Sequence, residues 1–368
     1  MNLIFLSGLL GLPFAPALSV RRRDNTQPSG TNPVTISQAE YLGEQTGSNS
    51  CTHRDLGFTG EFAGDWYALY GDTLYCESGV SSPDEDTSTA FNGMVRDALA
   101  RLGNDPLSIE WTALNGDEPV RHPTQFIPYD ESYGETSSTG FGGTSICSVN
   151  DTTAMVFYLV NQNDEGLKGV GIAKVELQNN QPVVTQRFGE TGYWWDSNTT
   201  PRYGDIAAYR DKKSEYIYAW GGPPNTQTEY AASQYVYQVR VKADDAFDLS
   251  KYEYWWGREQ GWKQGQPLTE FTSDTAVMWS VGQGQVVYSE YYQVYLFVHF
   301  AGSDVAIRTA PAPEGPWSDD VAFYTPITYE GGMVYAACAH PYLDESGKTL
   351  TISYTNANHI QVIKATFQ

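Results

Sequence analysis

The sequence is poor in basic residues, and beyond its first residues it has no long apolar run. Of its 368 residues only 22 are Lys or Arg, against 44 that are Asp or Glu, so the formal net charge is -22. Such a charge repels phosphate backbones, and nucleic acid is therefore not expected as a partner. No later stretch is apolar for long enough to cross a bilayer, so no membrane span is expected.

Several catalytic signatures are also missing from the sequence. It has no glycine-rich phosphate loop, no nucleophile elbow and no HExxH motif. These absences exclude nucleotide-dependent enzymes, α/β-hydrolases and zincins. Four of the five histidines, His53, His122, His299 and His359, are scattered singly, so no zinc site is predicted.

The N-terminus has the pattern of a secretory signal peptide. "MNLIFLSGLLGLPFAPALS", residues 1–19, has a short apolar region followed by Ala17 and Ser19 at the spacing of a cleavage site. We therefore predict a secreted, extracellular protein. The sequons at Asn150 and Asn198 fit that route as predicted glycosylation sites.

The chain has only four cysteines, none at zinc-type spacing. Cys51 and Cys76 bracket the hairpin pattern "RDLGFTGEFAGDWYALYGDTLYC", so we predict a disulfide between them. Cys147 and Cys338 lie inside apolar runs and are predicted to be small buried hydrophobic residues.

A loose hairpin repeat is the strongest signal for the fold. After the opening hairpin it recurs at residues 142–162, 203–222, 282–302 and 335–356, and several units continue into a third strand. Five such units predict an all-β, single-domain, five-bladed β-propeller over residues 45–368. The segment 20–44 could supply a ring-closing strand. A sixth blade stays open, because the stretch between Cys76 and Thr144 is long.

Propeller geometry places three aspartates at one face of the ring. The inner strand of each blade starts at the pocket face and the second strand returns to it, so Asp55 and Asp72 should meet there. Asp205 opens the third hairpin and should point toward the axis. Turn or capping roles remain the alternative for each.

The motifs "RDLGF", "WYALYGDTL", "PRYGDIAAYRD", "PEGPWS" and "AHPYLDESGKTLTISYTN" occur in the order typical of a known family. Over residues 45–368 the chain resembles the fungal secreted branch of the domain-of-unknown-function family 4185. That family is similar to the five-bladed propeller glycosidases of glycoside hydrolase families 43 and 32, and some members are assigned to family 183 as endo-acting hydrolases of D-arabinan.

The resemblance implies roles for individual residues. It makes Asp55 a nucleophile or base and Asp205 a residue that supports the transition state or tunes the acid. It places His340 near the pocket axis, and Asp72 belongs to the family's own pattern. The general-acid glutamate of the relatives has no counterpart near the start of blade four, where Asp274 and Glu259 are the nearest candidates.

Aromatic pairs offer candidate sugar platforms beside the acids. Trp194 with Trp195, and Trp255 with Trp256, are followed by polar segments, and flat apolar rings stack well on sugars. Packing between blades is the alternative for both pairs. Arg202 and Arg258 lie beside them and could bind substrate hydroxyls or simply balance the acids.

Together these features predict a secreted, monomeric glycoside hydrolase that acts on a polysaccharide, such as an arabinan or another furanose-rich wall polymer. Paired carboxyl groups would serve as acid and base or nucleophile. The alternative is a lectin-like propeller that binds carbohydrate without catalysis. No cofactor is required, although calcium in the central channel with His340 is conceivable.

Overall fold

The computed structural model describes residues 30–87, 92–117, 121–162, 165–329 and 332–368. The predicted signal peptide at residues 1–19 lies outside the described residues. Among the residues that are described, no helix is both long and apolar enough to cross a membrane.

Five sheets, antiparallel apart from one short parallel pairing at the outer edge of the first, follow one another along the chain as blades, and their innermost strands contact one another around a common axis. The all-β, single-domain, five-bladed propeller predicted from the repeat is therefore confirmed. The stretch that left a sixth blade open instead supplies outer strands of blade one, a small hairpin and an inner strand of blade two.

The described chain opens with a strand that belongs to the last blade and then forms the first two blades. The opening strand is β1 (Ile36–Glu44). Blade one contains β2 (Thr46–Gly47), β3 (Thr52–Phe62), β4 (Asp65–Tyr75), β5 (Met94–Val95), β6 (Ala98–Leu102) and β7 (Ser108–Trp111). The small hairpin is β8 (Leu114–Asn115) and β9 (His122–Pro123). Blade two contains β10 (Thr139–Gly140), β11 (Cys147–Ser148), β12 (Thr153–Gln162), β13 (Gly166–Gln178), β14 (Gln181–Arg187) and β15 (Trp195–Asp196).

In the remaining three blades the strands follow chain order from the axis outward. Blade three contains β16 (Ala207–Arg210), β17 (Tyr216–Gly221), β18 (Tyr235–Lys242), β19 (Glu253–Trp255) and β20 (Trp262–Gln264), with β21 (Met278–Trp279) paired to β18. Blade four contains β22 (Gln285–Ser289), β23 (Val294–Ala301), β24 (Asp304–Ala310) and β25 (Val321–Tyr324). Blade five contains β26 (Val334–His340), β27 (Thr349–Asn356) and β28 (His359–Phe367).

Helices contribute little to the described residues. The α-helix α1 spans Tyr230–Ser233. Single 3₁₀ turns lie at Pro83–Glu85, Glu131–Tyr133, Ala243–Asp245, Leu249–Lys251 and Pro341–Leu343.

The ring is closed between the two ends of the described chain. β1 pairs antiparallel with β28, from Ile36 opposite Phe367 to Glu44 opposite Gln361. It is the outermost strand of blade five, beside β28, β27 and β26. An early segment thus completes the sheet formed by the last three strands, which ties the first and last blades together.

Middle strands of the blades are buried on both faces, which explains their nearly continuous apolar sequences. Most of β12, "TAMVFYLVNQ", and of β23, "VYLFVHFA", is inaccessible to solvent because neighbouring blades cover both faces. Between blades one and two, for example, Phe62 and Leu69 pack with Val156 and Val160 in one buried cluster. Such interblade clusters hold the ring together.

A polar contact crosses the axis midway along the inner strands. The backbone N–H of Thr59 donates to Gln285 Oε1 at 3.1 Å, and Gln285 Nε2 donates back to the Thr59 carbonyl at 2.9 Å. The Thr59 hydroxyl donates to the Ala339 carbonyl at 2.6 Å. Blades one, four and five are therefore joined at the centre of the ring.

The disulfide prediction is confirmed: Cys51 and Cys76 are bonded, with their Cα atoms 5.5 Å apart. They join the segments on either side of the β3–β4 hairpin. Cys147 and Cys338 are unbonded and buried, as predicted.

Candidate active site

The β3–β4 hairpin places Asp55 and Asp72 next to each other near its open end. Arg54 pairs with Thr73 and Leu56 pairs with Tyr70, and the register shifts on both sides of Leu56. Leu56 has a positive φ of 63°, a conformation that is costly for a branched side chain. This irregularity lets the strand turn the Asp55 side chain toward Asp72 rather than into the regular ladder.

Asp55 lies in a nearly closed environment, with only 5% of its surface exposed. Its Oδ2 accepts a 2.7 Å hydrogen bond from the Tyr335 hydroxyl on β26, the inner strand of blade five. A Cβ added to Gly71 would lie 2.3 Å from Asp55 Oδ1, so the absence of a side chain at position 71 makes room for the carboxyl group.

Burial is the main cause of the raised pKa of Asp55. Burial and then the nearby charge of Asp72 raise the pKa of Asp55 to about 7, although the hydrogen bond from Tyr335 acts to lower it. The pKa of the Tyr335 phenol is raised as well, by burial and by the charge of Asp55, so the phenol stays protonated and able to donate.

Asp72 is less enclosed and has a cationic neighbour. About a fifth of its side chain (22%) is exposed, and its Oδ1 lies 3.5 Å from Arg96 Nη1. Burial raises the pKa of Asp72, while the charge of Arg96 opposes the rise. The two aspartates therefore differ in environment: Asp55 favours the protonated form more strongly, and Asp72 is better placed to carry a negative charge.

A small cavity joins the two carboxyl groups. Its volume of about 20 Å³ is enough for one water molecule. Beside the two aspartates and Arg96, its wall includes the start of blade two around Phe141 and the end of β12 at Asn161. A sugar ring would have to lie outside this cavity, at its opening, with only a reacting oxygen or a water molecule inside.

Asp205 is buried at the start of blade three but does not line this cavity. Its Oδ2 accepts from Arg202 Nε at 2.6 Å and its Oδ1 accepts from the Gly222 backbone N–H at 2.9 Å. The structure thus brings Asp55 and Asp72 together, whereas Asp205 joins the two strands of its own hairpin through these bonds.

One tryptophan of each pair, Trp195 or Trp255, lies in the core, so the prediction of a sugar platform is corrected at these two positions. Trp195 is 2% and Trp255 is 9% exposed. Trp194 and Trp256 are half-buried and pack against the cluster between blades two and three. Trp195 Nε1 also donates to the Tyr254 hydroxyl at 3.2 Å. Trp195 and Trp255 are covered because the strands that carry them pack against other blades, which periodicity alone could not reveal.

The other predicted substrate contacts are dispersed. Arg202 is paired with Asp205, and Arg258 is exposed. His340 ends the inner strand of blade five, at the opposite end of that strand from Tyr335, and it is buried there with its Nε2 2.9 Å from the Ser353 hydroxyl. Burial lowers the pKa of His340 to about 4, so the imidazole is neutral. His340 is not among the described residues that line the cavity, because strand direction puts Tyr335 beside Asp55 instead.

Neither candidate for the missing general acid reaches the cavity. Asp274 and Glu259 are both exposed and are not among the described residues that line it. Acids in turns away from the cavity cap those turns. Asp344, for example, accepts from the hydroxyls and the backbone N–H groups of Ser346 and Thr349, and its pKa is lowered to about 2, mainly by the hydrogen bonds from the two hydroxyls.

Sequence reasoning missed three residues of the site: Tyr335, Arg96 and Gly71. Tyr335 could have been found, because it opens an inner strand just as Asp205 does. Arg96 lies between β5 and β6, in the segment "FNGMVRDALARL", whose pattern did not distinguish helix from strand. Gly71 gives no signal of its own, since nothing local indicates that a carboxyl group occupies the space beside it.

Solved structures of other proteins share this fold. A Bacteroides ovatus protein superimposes with a TM-score of 0.55 at 15% identity, covering 88% of this chain and 86% of its own. A GH43_1 enzyme from Xanthomonas citri, solved with xylose, has a TM-score of 0.53 at 10% identity, covering 89% and 90%. An exo-β-1,3-galactanase from Phanerochaete chrysosporium, solved with galactose, has a TM-score of 0.50 at 11% identity, covering 88% and 63%.

The sequence of the chain matches one known protein family over most of its length. No curated protein matches the chain. The model of a domain of unknown function, DUF4185, matches residues 44–365, which include strands of every blade and both aspartates of the cavity. The chain therefore belongs to the DUF4185 family.

Proposed function

We propose that this protein is a glycoside hydrolase in which Asp55 and Asp72 are the catalytic carboxyl groups. The observation that carries the proposal is the sharing of one water-sized cavity by two carboxyl groups whose pKa values are both raised. Hydrolysis of a glycosidic bond needs one carboxyl group to protonate the leaving oxygen and another to attack or to activate water.

The two environments suggest separate roles. Asp55 is the more buried and keeps its proton to near neutral pH, which suits the general acid. Asp72 lies beside Arg96 and is partly exposed, which suits the carboxylate that activates water or attacks. This assignment reverses the role that the resemblance gave to Asp55, and it removes the need for an acid in blade four. Asp205, which does not line the cavity, would then be a structural residue that joins the two strands of its hairpin through its bond to the Gly222 backbone.

The substrate we propose is a polysaccharide, with an arabinan or another furanose-rich wall polymer as the first candidate. The resemblance at the level of sequence motifs supports this choice, and two fold relatives are a GH43_1 enzyme solved with xylose and an exo-β-1,3-galactanase. A sugar chain lying across the opening would fit the small size of the cavity better than one buried end-on.

Secretion remains part of the proposal. The Cys51–Cys76 disulfide is typical of oxidising compartments. The sequon residues Asn150 and Asn198 are both exposed, so an N-glycan could be attached at either position. The monomeric state stays a prediction. The calcium ion in the central channel, which the sequence does not require, also stays a prediction.

The second candidate is a carbohydrate-binding propeller without catalysis. The position of Asp205 outside the cavity favours it, because a larger cluster of acids at the pocket was expected for hydrolysis. The burial of Trp195 and Trp255 weakens it, since a binding protein would need an exposed aromatic platform.

Cleavage and binding can be separated with one panel of plant, fungal and mycobacterial polysaccharides. Wild-type protein and the Asp55→Asn variant are incubated with each polymer, and released oligosaccharides are identified by mass. We expect products from the wild type alone. Equal retention of one polymer by both proteins, without products from either, would instead indicate a lectin-like function.

A further inference from the structure

A second group of potential ligands lies where the ring closes, outside the carboxyl pair. Glu44 ends β1, His359 begins β28, and Asp84 lies in the 3₁₀ turn that follows blade one's hairpin. One carboxylate oxygen from each acid and Nδ1 of His359 all lie within 4.8 Å of one another. Three segments that are far apart in sequence thus meet at one point.

The distances within this group are those of atoms that face a common centre. His359 Nδ1 is 2.8 Å from Glu44 Oε1 and 3.8 Å from Asp84 Oδ1. A protonated imidazole could bridge the two carboxylates. A neutral imidazole could equally join them as a third ligand of a cation, because each of the three atoms carries a lone pair.

The second oxygen of Glu44 distinguishes these two arrangements. The Glu44 side chain is only 10% exposed, and its Oε2 is buried without a hydrogen-bond partner among the described residues. A protonated His359 satisfies Oε1 but leaves Oε2 unpaired, and an unpaired buried carboxylate oxygen is costly. A cation bound by both oxygens of Glu44 would remove that cost.

Neighbouring groups hold the imidazole in this position. The His359 ring makes edge contacts with His53, at 5.2 Å between ring centres, and with Tyr329, at 4.9 Å. His53 itself lies 2.9 Å from Asp86, two residues beyond Asp84. Supporting contacts of this kind orient a ligand and are common around metal sites.

We propose that Glu44, Asp84 and His359 bind a divalent transition-metal cation of the Zn²⁺ type, with water completing its coordination. One imidazole nitrogen with carboxylate oxygens is a donor set that favours such a metal over calcium. The bound ion links the ring-closing strand β1, the third strand of blade five and the turn after blade one. This differs from the expectation that the scattered histidines form no zinc site, since the ring closure brings His359 to Glu44 across 315 positions.

The test is to measure the binding of Zn²⁺ itself by the full-length protein after dialysis against a chelator. Calorimetric titration gives stoichiometry and affinity, the unfolding temperature is recorded with and without Zn²⁺, and Co²⁺ provides a visible absorption signal from the ligand set. The variants are Glu44→Gln, His359→Gln and Asp84→Asn, the last in a side chain that is 65% exposed and therefore suited to a mild change.

Glu40→Gln is the matched control, because Glu40 lies on the same strand, is half-exposed and pairs with Lys364. We expect one Zn²⁺ per chain, a rise in the unfolding temperature on binding, and affinities at least about tenfold weaker in the three ligand variants. The control should bind as the wild type does. Absence of binding by the wild type, or equal affinities in folded ligand variants, would overturn the proposal and leave His359 as an ion-pair partner.

Discussion

At the scale of single residues, the proposed chemistry depends on Asp55, whose carboxyl group keeps its proton to about pH 7. Asp55 reaches this state through burial and through a second acid that cannot move away, since both belong to one hairpin. Asp72 differs by partial exposure and by Arg96. Two identical side chains are thereby given different acidities, as an acid–base pair requires.

Asp55→Asn should change stability in a way that depends on pH. The folded-state pKa of Asp55 lies above the ordinary value of 3.8, so its contribution to stability is complete below pH 3.8 and is lost as pH rises through about 7. Asparagine stays neutral throughout. We therefore expect the free energy of unfolding of the variant to rise relative to that of the wild type, by on the order of a few kcal/mol, as the pH increases from about 4 to 8.

Urea unfolding at several pH values measures this difference. Asp344→Asn is a suitable control, since the lowered pKa of Asp344, about 2, should give a difference that is constant over the same range. A constant difference for Asp55→Asn as well would show that Asp55 ionises normally in the folded protein.

Tyr335→Phe should move the pH profile of the reaction. The hydroxyl donates to Asp55 Oδ2 and lowers the pKa of Asp55, so its removal should raise that pKa. If Asp55 is the general acid, activity falls as pH rises through its pKa, and the variant's alkaline limb should lie at higher pH. The pH dependence of kcat/KM measures the shift, with Tyr342→Phe on the opposite face as control. A lower rate with an unmoved limb would make Tyr335 a structural residue only.

At the level of elements, the β3–β4 hairpin builds the site. Its pattern predicted two strands, a turn and two aspartates at the open end, because alternating and aromatic strand residues are a local signal. The irregular pairing around Leu56 and the contact of Gly71 with Asp55 were not predictable, since they depend on which atoms meet across the hairpin.

Gly71→Ala should abolish activity while leaving the blade folded. The added methyl group would lie 2.3 Å from Asp55 Oδ1 and 2.9 Å from Leu56 Cδ1, so the carboxyl group must move. Gly103→Ala in the same blade is the control, because nothing lies within 4 Å of its added methyl group. Comparing kcat/KM with the circular dichroism spectrum separates misplacement from unfolding, and a fully active Gly71→Ala would contradict the geometry given to Asp55.

The limits of sequence reasoning are clearest where an element's exposure decides its role. Trp195 and Trp255 are flat aromatic residues next to polar segments, as sugar platforms are, yet both are covered by neighbouring strands. His340 was expected at the pocket from its motif, but the length of β26 separates it from Tyr335, the residue of that strand that contacts Asp55. Hairpin periodicity predicts a blade; it does not predict which face of an outer strand another blade will cover.

At the scale of the whole molecule, β1 closes the ring by pairing with β28, and it completes the sheet formed by the last three strands. Deleting residues 30–44 would leave the edge of β28 unpaired and remove Glu44 from the ring closure. We expect a lower unfolding temperature and association through the exposed strand edge. Differential scanning calorimetry and size-exclusion chromatography would measure both effects, and unchanged stability would mean that the other four blades hold the ring without β1.

The most direct test of the proposed function is a comparison of kcat/KM for the wild type, Asp55→Asn, Asp72→Asn and Asp205→Asn on the polysaccharide that the wild type cleaves. We expect Asp55→Asn and Asp72→Asn each to lose activity by at least about a hundredfold, the scale of general acid–base catalysis. The double variant should be little worse than either single one, because the two groups act together. Asp205→Asn should retain more activity than either. Full activity in Asp55→Asn or Asp72→Asn would contradict the assignment of catalysis to this pair.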